Sequence, residues 1–484
     1  MTGVEPVERE LKLDVDPAAA DKLAAGHWFA DADCTHIESV YFDTPDQVLR
    51  NAGYVLRVRH SGDRRIQTLK ACAGNASGMF ARTEWERDIA GDRPEISDAD
   101  GPLSTLLAQH GHARLKTQFR TKIDRRRRRL TVDGAEVELA LDRGIVVAGK
   151  RSAPICELEI ESVSGPASAL FSVAREIALT TPLRPAALTK SDRGRLLAAK
   201  LLLRPSKAVS LKLAPEMAAT LAFQQIASSC LQQFLRNAAL LEHDDHPDIV
   251  HQARVGLRRL RSALALFRPL LGEHALRLLG GEVRWLAQQF GTVRSLDVLI
   301  AASRDIHTRT RLAQLRHQAF TALLDVLRAP RVRILLLDLT HWLVLGAWLR
   351  QPQPAPQLDV FAAEQLEHRF RRLKRRSRHF VQLDDAHRHR VRIEAKKLRY
   401  ATEFLASVYP APNVQKRLKV WLENLEVLLD ALGDLNDQAS FAALLDEFGI
   451  SAKAVPFNRA THDALCETAE TALGTLMGLK RYWR

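Results

Sequence analysis

Charges fall on every second residue in four separate segments of this chain. They are Glu8-Arg9-Glu10-Leu11-Lys12, Leu56-Arg57-Val58-Arg59, Arg82-Thr83-Glu84-Trp85-Glu86 and Glu157-Leu158-Glu159-Ile160-Glu161. In a strand, residues two apart share a face. Each segment therefore puts its charges on one side and mostly apolar residues on the other. If the apolar sides pack outward against other elements, the charged sides line an interior. A polyanion carrying a divalent cation suits such an interior, with carboxylates for the metal and Arg or Lys for phosphates. One alternating strand alone is explained by an exposed amphipathic strand. Four such segments, joined by Lys70, Arg120, Asp142 and Lys190, are costly to bury unless they neutralise one another and a ligand.

With 484 residues the chain is long enough for more than one domain. Its basic excess is unevenly placed. Residues 1–200 hold 30 Lys and Arg against 29 Asp and Glu, whereas residues 201–484 hold 41 against 28. The second half is thus expected to meet a polyanion. Cys34, Cys72, Cys156, Cys230 and Cys466 are scattered, with no CxxC pair, which fits reduced thiols of a cytoplasmic protein. No basic stretch followed by an apolar core opens the sequence, so no secretory leader is expected. The most apolar stretch, residues 334–349, contains Asp338, Thr340 and His341 and falls short of the roughly 20 residues of a spanning helix. It is expected to be a buried helix, and no membrane contact is expected.

The first 203 residues are strand-rich. Residues 54–59, 67–70, 82–89, 136–141 and 155–162 alternate like strands. The arginine run 125–129 reads as a solvated strand or turn. Residues 204–214 read as a linker, and beyond them Leu, Ala and Arg recur at helical spacing. A proline-rich break at residues 351–356 separates two copies of one pattern, about 215–350 and 357–484. The first copy is His251-Gln252-Ala253-Arg254-Val255-Gly256-Leu257-Arg258-Arg259-Leu260-Arg261. The second is His389-Arg390-Val391-Arg392-Ile393-Glu394-Ala395-Lys396-Lys397-Leu398-Arg399. Each histidine is followed by cations at +3, +7, +8 and +10. Positions 0, +3, +7 and +10 lie within about 80° on a helix. A weaker echo follows each copy, around Arg294 in the first and at Leu432-Gly433-Asp434-Leu435-Asn436-Asp437 in the second. The cluster Glu242, His243, Asp244, Asp245 and His246 reads as a polar loop before a helix capped by Asp248. No GxxxxGK[ST] loop, HExxH helix or GxSxG elbow is present. Aromatics are few and not interleaved with the basic residues, which argues against specific nucleic-acid readout.

Five motifs in order make residues 3–200 resemble the CYTH domain. They are Glu8-Arg9-Glu10-Leu11-Lys12, Tyr41-Phe42-Asp43-Thr44-Pro45, Gly53-Tyr54-Val55-Leu56-Arg57-Val58-Arg59, Thr68-Leu69-Lys70 and Glu157-Leu158-Glu159-Ile160-Glu161. That is the triphosphate tunnel fold of inorganic triphosphatases, thiamine triphosphatases and class IV adenylyl cyclases. The two basic stripes, with Tyr400 and Asp437, make residues 215–480 resemble the CHAD domain, a helical polyphosphate-binding module. The resemblance implies a multidomain α+β protein. An eight-stranded antiparallel β-barrel with a charged lumen would be followed by a duplicated all-α helical bundle.

It also implies a metal-dependent hydrolase of tripolyphosphate, with Mg²⁺ or Mn²⁺. Thiamine triphosphate hydrolysis, ATP cyclisation and a non-catalytic polyphosphate binder are the alternatives. Lys12, Arg57, Arg59, Lys70, Arg82, Arg120 and Lys190 would bind the substrate, and Glu8, Glu10, Asp142, Glu157, Glu159 and Glu161 would serve the metal. Glu8, Glu10, Lys12 and Lys70 would act in catalysis. Polyphosphate would meet His251, Arg254, Arg258, Arg259, Arg261 and Arg294 in the first repeat. In the second it would meet His389, Arg392, Lys396, Lys397 and Arg399. The protein is expected in the cytoplasm, where it could sit at polyphosphate granules.

Overall fold

In the strand β1 (Glu8–Val15) the alternation resolves into two faces. Leu11 and Leu13 are wholly buried on one side, while Glu10 and Lys12 point to the other. The strands that follow are β2 (Asp33–Asp43), β3 (Tyr54–Ser61), β4 (Arg64–Ala71), β5 (Met79–Arg82) and β6 (Glu84–Asp88). Next come β7 (Lys116–Val132), β8 (Ala135–Ala148), β9 (Arg151–Ser164) and β10 (Leu183–Pro185). The structure, a computed structural model, describes residues 8–71, 79–96, 102–110, 114–350, 354–450 and 459–484.

Nine strands follow one antiparallel path, β10-β1-β9-β8-β7-β2-β3-β4-β6, and β5 pairs β1 off that path. The expected closed eight-stranded barrel is therefore corrected: nine strands follow one open antiparallel path, and β5 stands beside it on β1. The segment 79–88 changes partner at Thr83, pairing β1 before that residue and β4 after it.

Five helices accompany the sheet in chain order: α1 (Pro17–Ala25), α2 (Val48–Asn51), α3 (Leu103–Gln109), α4 (Ser168–Thr180) and α5 (Lys190–Ala198). The face carrying Leu11, Leu13, Leu139, Leu158 and Ile160 packs on Leu170, Phe171 and Ile177 of α4. Leu49 of α2 and Leu103 and Leu107 of α3 cover Leu56, Val58 and Leu69. Burial of these side chains stabilises the unit by about 1.5–3 kcal/mol each. Because the outer face takes the apolar partners, the charges are left to the concave side.

The short helix α5 sets the geometry of that side. Thr189 and Asp192 form a capping box at its start, which orders the first turn. One turn later Gly194 lies against the Phe119 ring of β7. A methyl group at Gly194 would sit 2.1 Å from that ring. Only a glycine allows this approach, and the approach brings Lys190 to the acidic residues described below.

Beyond an irregular stretch, the chain is helical: α6 (Ala219–Leu240), α7 (Pro247–Leu266), α8 (Glu273–Ala302), α9 (Ile306–Arg328), α10 (Pro330–Leu345), α11 (Leu358–Arg376), α12 (Asp385–Leu405), α13 (Pro412–Glu447) and α14 (Arg459–Gly478). Two compact units result. The first runs to Ser206 and takes in Leu235–Leu240 and Leu327–Gly346, and the second holds the rest. In order and length α6 to α9 answer α11 to α14. Ala218 and Gln357, just before α6 and α11, form an antiparallel bridge. The helix without a counterpart is α10, and it belongs to the first unit. There Leu337 joins the core on α4, and Arg175 bonds Asp338 at 2.7 Å and His341 at 3.0 Å. Residues Pro330–Arg350 are, contrary to expectation, long and apolar enough to cross a membrane by length and composition alone, at a mean hydropathy of 1.5. Half of that stretch is buried within the protein. At the start of α7 the cap is His246, whose ring accepts from the Asp248 amide, so Asp248 stands in the first turn rather than at the cap.

Gly194→Ala should cost about 1–3 kcal/mol, the usual cost of overpacking. A lowered urea midpoint with an unchanged slope is the expected reading. Wild-type stability would mean that α5 can move off Phe119 freely.

Candidate functional site

Strand register places the charges of the first unit in rows. Glu10 pairs across to Glu161, which pairs to Glu138, which faces Arg129. Lys12 lies opposite Glu159, and Ala140 separates that pair from Arg127. Glu157 pairs with Asp142, which pairs with Arg125. These rows and the facing side chains Arg57, Arg59, Lys70, Glu84 and Glu86 line a cavity of about 790 Å³.

At one end the carboxylates of Asp142, Glu157 and Glu159, all buried, lie within 4.8 Å of one another. Lys190 reaches into them, 2.6 Å from Asp142 and 3.0 Å from Glu159, and also bonds Glu157. Arg125 bridges Asp142 at 2.7 Å and Glu159 at 2.6 Å. Lys12 bonds Glu159 and lies 2.9 Å from Glu10.

Burial opposes every charge in this group, and mutual attraction overcomes it for Asp142 and Glu159 but not for Glu157. Burial would raise the Asp142 carboxyl, but Lys190 and Arg125 hold it below its ordinary range. Against the same burial, Lys12, Lys190 and Arg125 hold Glu159 well below its ordinary range. For Glu157 burial wins over Lys190 and the carboxyl is pushed up. Its Oε2 is buried without a hydrogen-bond partner. On the cationic side Arg57 pushes the neighbouring Arg59 down to about 10, helped by burial and Arg125. Crowded cations of this kind are relieved by an anion.

Of the side chains expected here, Glu10, Lys12, Arg57, Arg59, Lys70, Asp142, Glu159, Glu161 and Lys190 line the cavity, and Glu157 lies buried behind Lys190. Of Glu8 and Arg82 the backbone pairing alone is described, and it sets them opposite each other. Arg120 is a correction. It is exposed on the outer face of β7, between Val40 and Val147. Period-2 alternation turns Thr121, Ile123, Arg125, Arg127 and Arg129 inward instead. The arginine run is thus a strand, one of the two forms expected, and Arg126, Arg127 and Arg129 are exposed, whereas Arg125 reaches the buried carboxylates. Its signal was the alternating Glu136 and Glu138 across the hairpin.

In the second unit, α7 and α12 bring their stripes together. His251, Arg254 and Arg258 meet Arg392 and Lys396 around a cavity of about 320 Å³, with Arg294, Ser295, Asn436 and Asp437. The two echo segments therefore supply Arg294 and Asn436. Burial and neighbouring cations lower Arg254, Arg392 and His251. Burial, with Arg392, Arg258 and Arg254, pushes Lys396 down to about 7. Buried Nε atoms of Arg258 and Arg392 have no hydrogen-bond partner.

The other expected cations do not line this pocket. Arg259 bonds Glu403 at 2.7 Å and stacks on Phe404, Lys397 bonds Glu394 at 2.9 Å, and Arg399 bonds Glu403 at 2.9 Å. Arg261 lies beside Arg284, and His389 bonds Asn436. Geometry explains the split. Position +8 points about 80° off the stripe, and +10 lies about 15 Å along the axis from the histidine.

Arg125→Met should cost about 3–5 kcal/mol, because it leaves Asp142 and Glu159 short of a buried partner. Arg120→Ala should change stability by no more than about 0.5 kcal/mol. Denaturant midpoints of the two variants decide it, and equal effects would contradict the inward register of β7.

Residues 7–194 match the CYTH domain and residues 225–446 the CHAD domain. An inorganic triphosphatase from Haemophilus influenzae is 27% identical over 206 residues, 41% of this chain and 57% of the relative. The match thus spans little more than half of that relative's length. Among solved structures, the CHAD domain from the plant Ricinus communis is 27% identical, covering 57% of this chain and 97% of that one at a TM-score of 0.49. A putative adenylyl cyclase from Hippeastrum, described as having a dominant triphosphatase activity, is 18% identical. It covers 39% of this chain and 95% of its own at a TM-score of 0.29.

Proposed function

The chain belongs to the proteins in which a CYTH domain precedes a CHAD domain, and on that premise we propose that its first unit is a metal-dependent inorganic triphosphatase. The single observation that carries the reading is the cavity itself: three buried carboxylates gathered beside Lys12, Lys190 and Arg125, with crowded arginines facing them. A pure anion binder gains nothing from inward carboxylates. The name of the Haemophilus relative supports the same chemistry.

The donor set fits a hard divalent cation such as Mg²⁺ or Mn²⁺, since all ligand atoms are carboxylate oxygens and Oε2 of Glu157 lacks a partner. Asp142, Glu157 and Glu159 would hold it. When bound it would withdraw charge from the phosphoryl group under attack. The protein's own side chains do the remaining work. Arg57, Arg59 and Lys70 grip the phosphate oxygens, and the field of fixed cations stabilises charge that grows on the leaving chain. Lys12, tethered between Glu10 and Glu159, is placed to follow that charge. Glu10 then orients water and accepts its proton.

In the second unit the pocket between α7 and α12 binds inorganic polyphosphate. Its cations read phosphates as charges, without base contacts, so affinity should fall steeply with salt.

Purified protein given tripolyphosphate, ATP, thiamine triphosphate and long polyphosphate, each with Mg²⁺ or Mn²⁺, should release phosphate fastest from tripolyphosphate. Excess chelator should stop it. Glu10→Gln should lower kcat by about 10²-fold or more. Full activity in chelator would sink the metal, and a preference for an organic triphosphate would replace the substrate.

Polyphosphate binding should also respond to pH. Lys396 is charged below about 7 and neutral above it. A bound polyanion favours the charged form, so binding takes up a proton near neutrality. Affinity should fall by up to about tenfold from pH 6 to 8.5, the worth of one charge-assisted contact. Lys396→Met should bind more weakly at pH 6 and show a flatter profile. Calorimetric titration in two buffers reads the proton directly, and no uptake at pH 7 would contradict the reading.

A further inference from the structure

The anion pocket of the second unit holds one side chain that can be a nucleophile as well as a cation. We propose that Lys396 is an acylation site for small acyl phosphates, a modification that empties the pocket of its polyanion. The inference rests on reading that pocket as a phosphate site.

Three observations support it. First, Lys396 shares its pocket with cations from two neighbouring helices and from its own. Arg254 and Arg258 come from α7, beside His251, Arg294 comes from α8, and Arg392 from its own α12. On α13 stand Asp437 and Asp434. Asp437 acts on both Lys396 and Arg392, whereas Asp434 acts on Arg392. Of the groups that act most strongly on Lys396, only Asp437 favours its charge, and it is the weakest. The amine is therefore available as a free base near neutral pH, where an ordinary lysine is almost wholly protonated.

Second, the arginines that suppress its charge are themselves a phosphate cradle. Arg254 and Arg392 lie in the same cavity, and Nε of Arg392 is buried without a hydrogen-bond partner. An acyl phosphate bound through its phosphate would be neutralised by groups that stay protonated, so the lysine need not supply charge. Third, the next residue on α12 is a built-in contrast. Lys397 donates to Glu394 at 2.9 Å and lies outside the pocket.

The step balances without a further reactant. The neutral amine attacks the acyl carbon, a C–N bond forms, and the bond from that carbon to the phosphate oxygen breaks. Inorganic phosphate leaves with the electron pair of the broken bond, and the extra N–H proton passes to solvent. The amide that remains carries no charge and occupies cavity space. Acylation therefore removes one contact from the pocket and crowds the others.

The test uses the full-length protein and acetyl phosphate at pH 7.5, followed by peptide mass spectrometry over time. Lys396 should be acetylated about tenfold or more faster than Lys397 or the exposed Lys374, as expected for an amine held in a cavity whose burial and arginines disfavour its charge. Inorganic phosphate or polyphosphate should slow Lys396 alone. The acetylated protein should bind polyphosphate more weakly than the untreated protein. Acetylation of Lys396 no faster than that of Lys374, or without protection by phosphate, overturns the inference. Titration of untreated protein with polyphosphate separates the two ideas. If polyphosphate binds and Lys396 is inert, the pocket reading stands and the acylation site falls. If Lys396 reacts, with protection by inorganic phosphate, and polyphosphate does not bind, the acylation site stands and the polyphosphate reading falls.

Discussion

Lys190 among Asp142, Glu157 and Glu159 is the contact on which the charged cavity depends. Three buried carboxylates within 4.8 Å of one another would repel strongly in a medium poor in water. The ammonium of Lys190, with Arg125 and Lys12, turns that repulsion into a set of hydrogen-bonded pairs that leaves Oε2 of Glu157 without a partner. Desolvation of so many charges still costs several kcal/mol per ion, which the apolar outer face of the sheet offsets. The network is thus a poor device for stability and a good one for function. It keeps a dense array of both signs ready for a ligand that also carries both, a phosphate chain with its metal.

That contact in turn relies on packing some distance from any charge. Lys190 begins a helix whose capping box fixes its first turn and whose Gly194 lets it lie on Phe119. Phe119 stacks on Tyr41 at 4.5 Å, so the helix, β7 and β2 form one packed block. The second unit solves a related problem in the opposite way. There cations outnumber carboxylates in the pocket lining, and burial with like charge lowers the affinity of Arg254, Arg392 and Lys396 for protons.

Much of both sites was legible. Strand alternation predicted Glu10, Lys12, Arg57, Arg59 and Glu159 on one inward face, because a period of two needs no knowledge of partners. The paired motifs at His251 and His389 predicted two helices with matching stripes, because helical period is equally local. Arg120 shows where local reasoning failed. One residue of register separates it from Thr121, and a one-residue slip moves every side chain to the other face. Counting from Phe119 could not settle which residue turned inward, whereas the ladder with β8 does. Arg259, Lys397 and Arg399 failed for another reason. A basic side chain at helical spacing can face an anion or a neighbouring glutamate: Glu394 and Glu403 stand one turn from Lys397 and Arg399 on α12 itself, and Glu403 also meets Arg259 of α7.

By itself the sequence determined which faces are charged, where the chain changes from strands to helices, and that two helices of the later part carry matching basic stripes. Those properties are written in periodicities of two and 3.6 residues, which each segment carries alone. The tertiary structure alone decided that nine strands follow one open path, with β5 beside it on β1, rather than closing a barrel of eight, and that the segment 79–88 changes partner at Thr83. It also decided that α10, the helix with no counterpart between the repeats, joins the core on α4. Finally, it decided that the stripes of α7 and α12 meet each other, with Arg294 of α8, around one pocket. Such outcomes depend on which surfaces meet across more than a hundred residues of chain, and no local pattern encodes a meeting between distant surfaces.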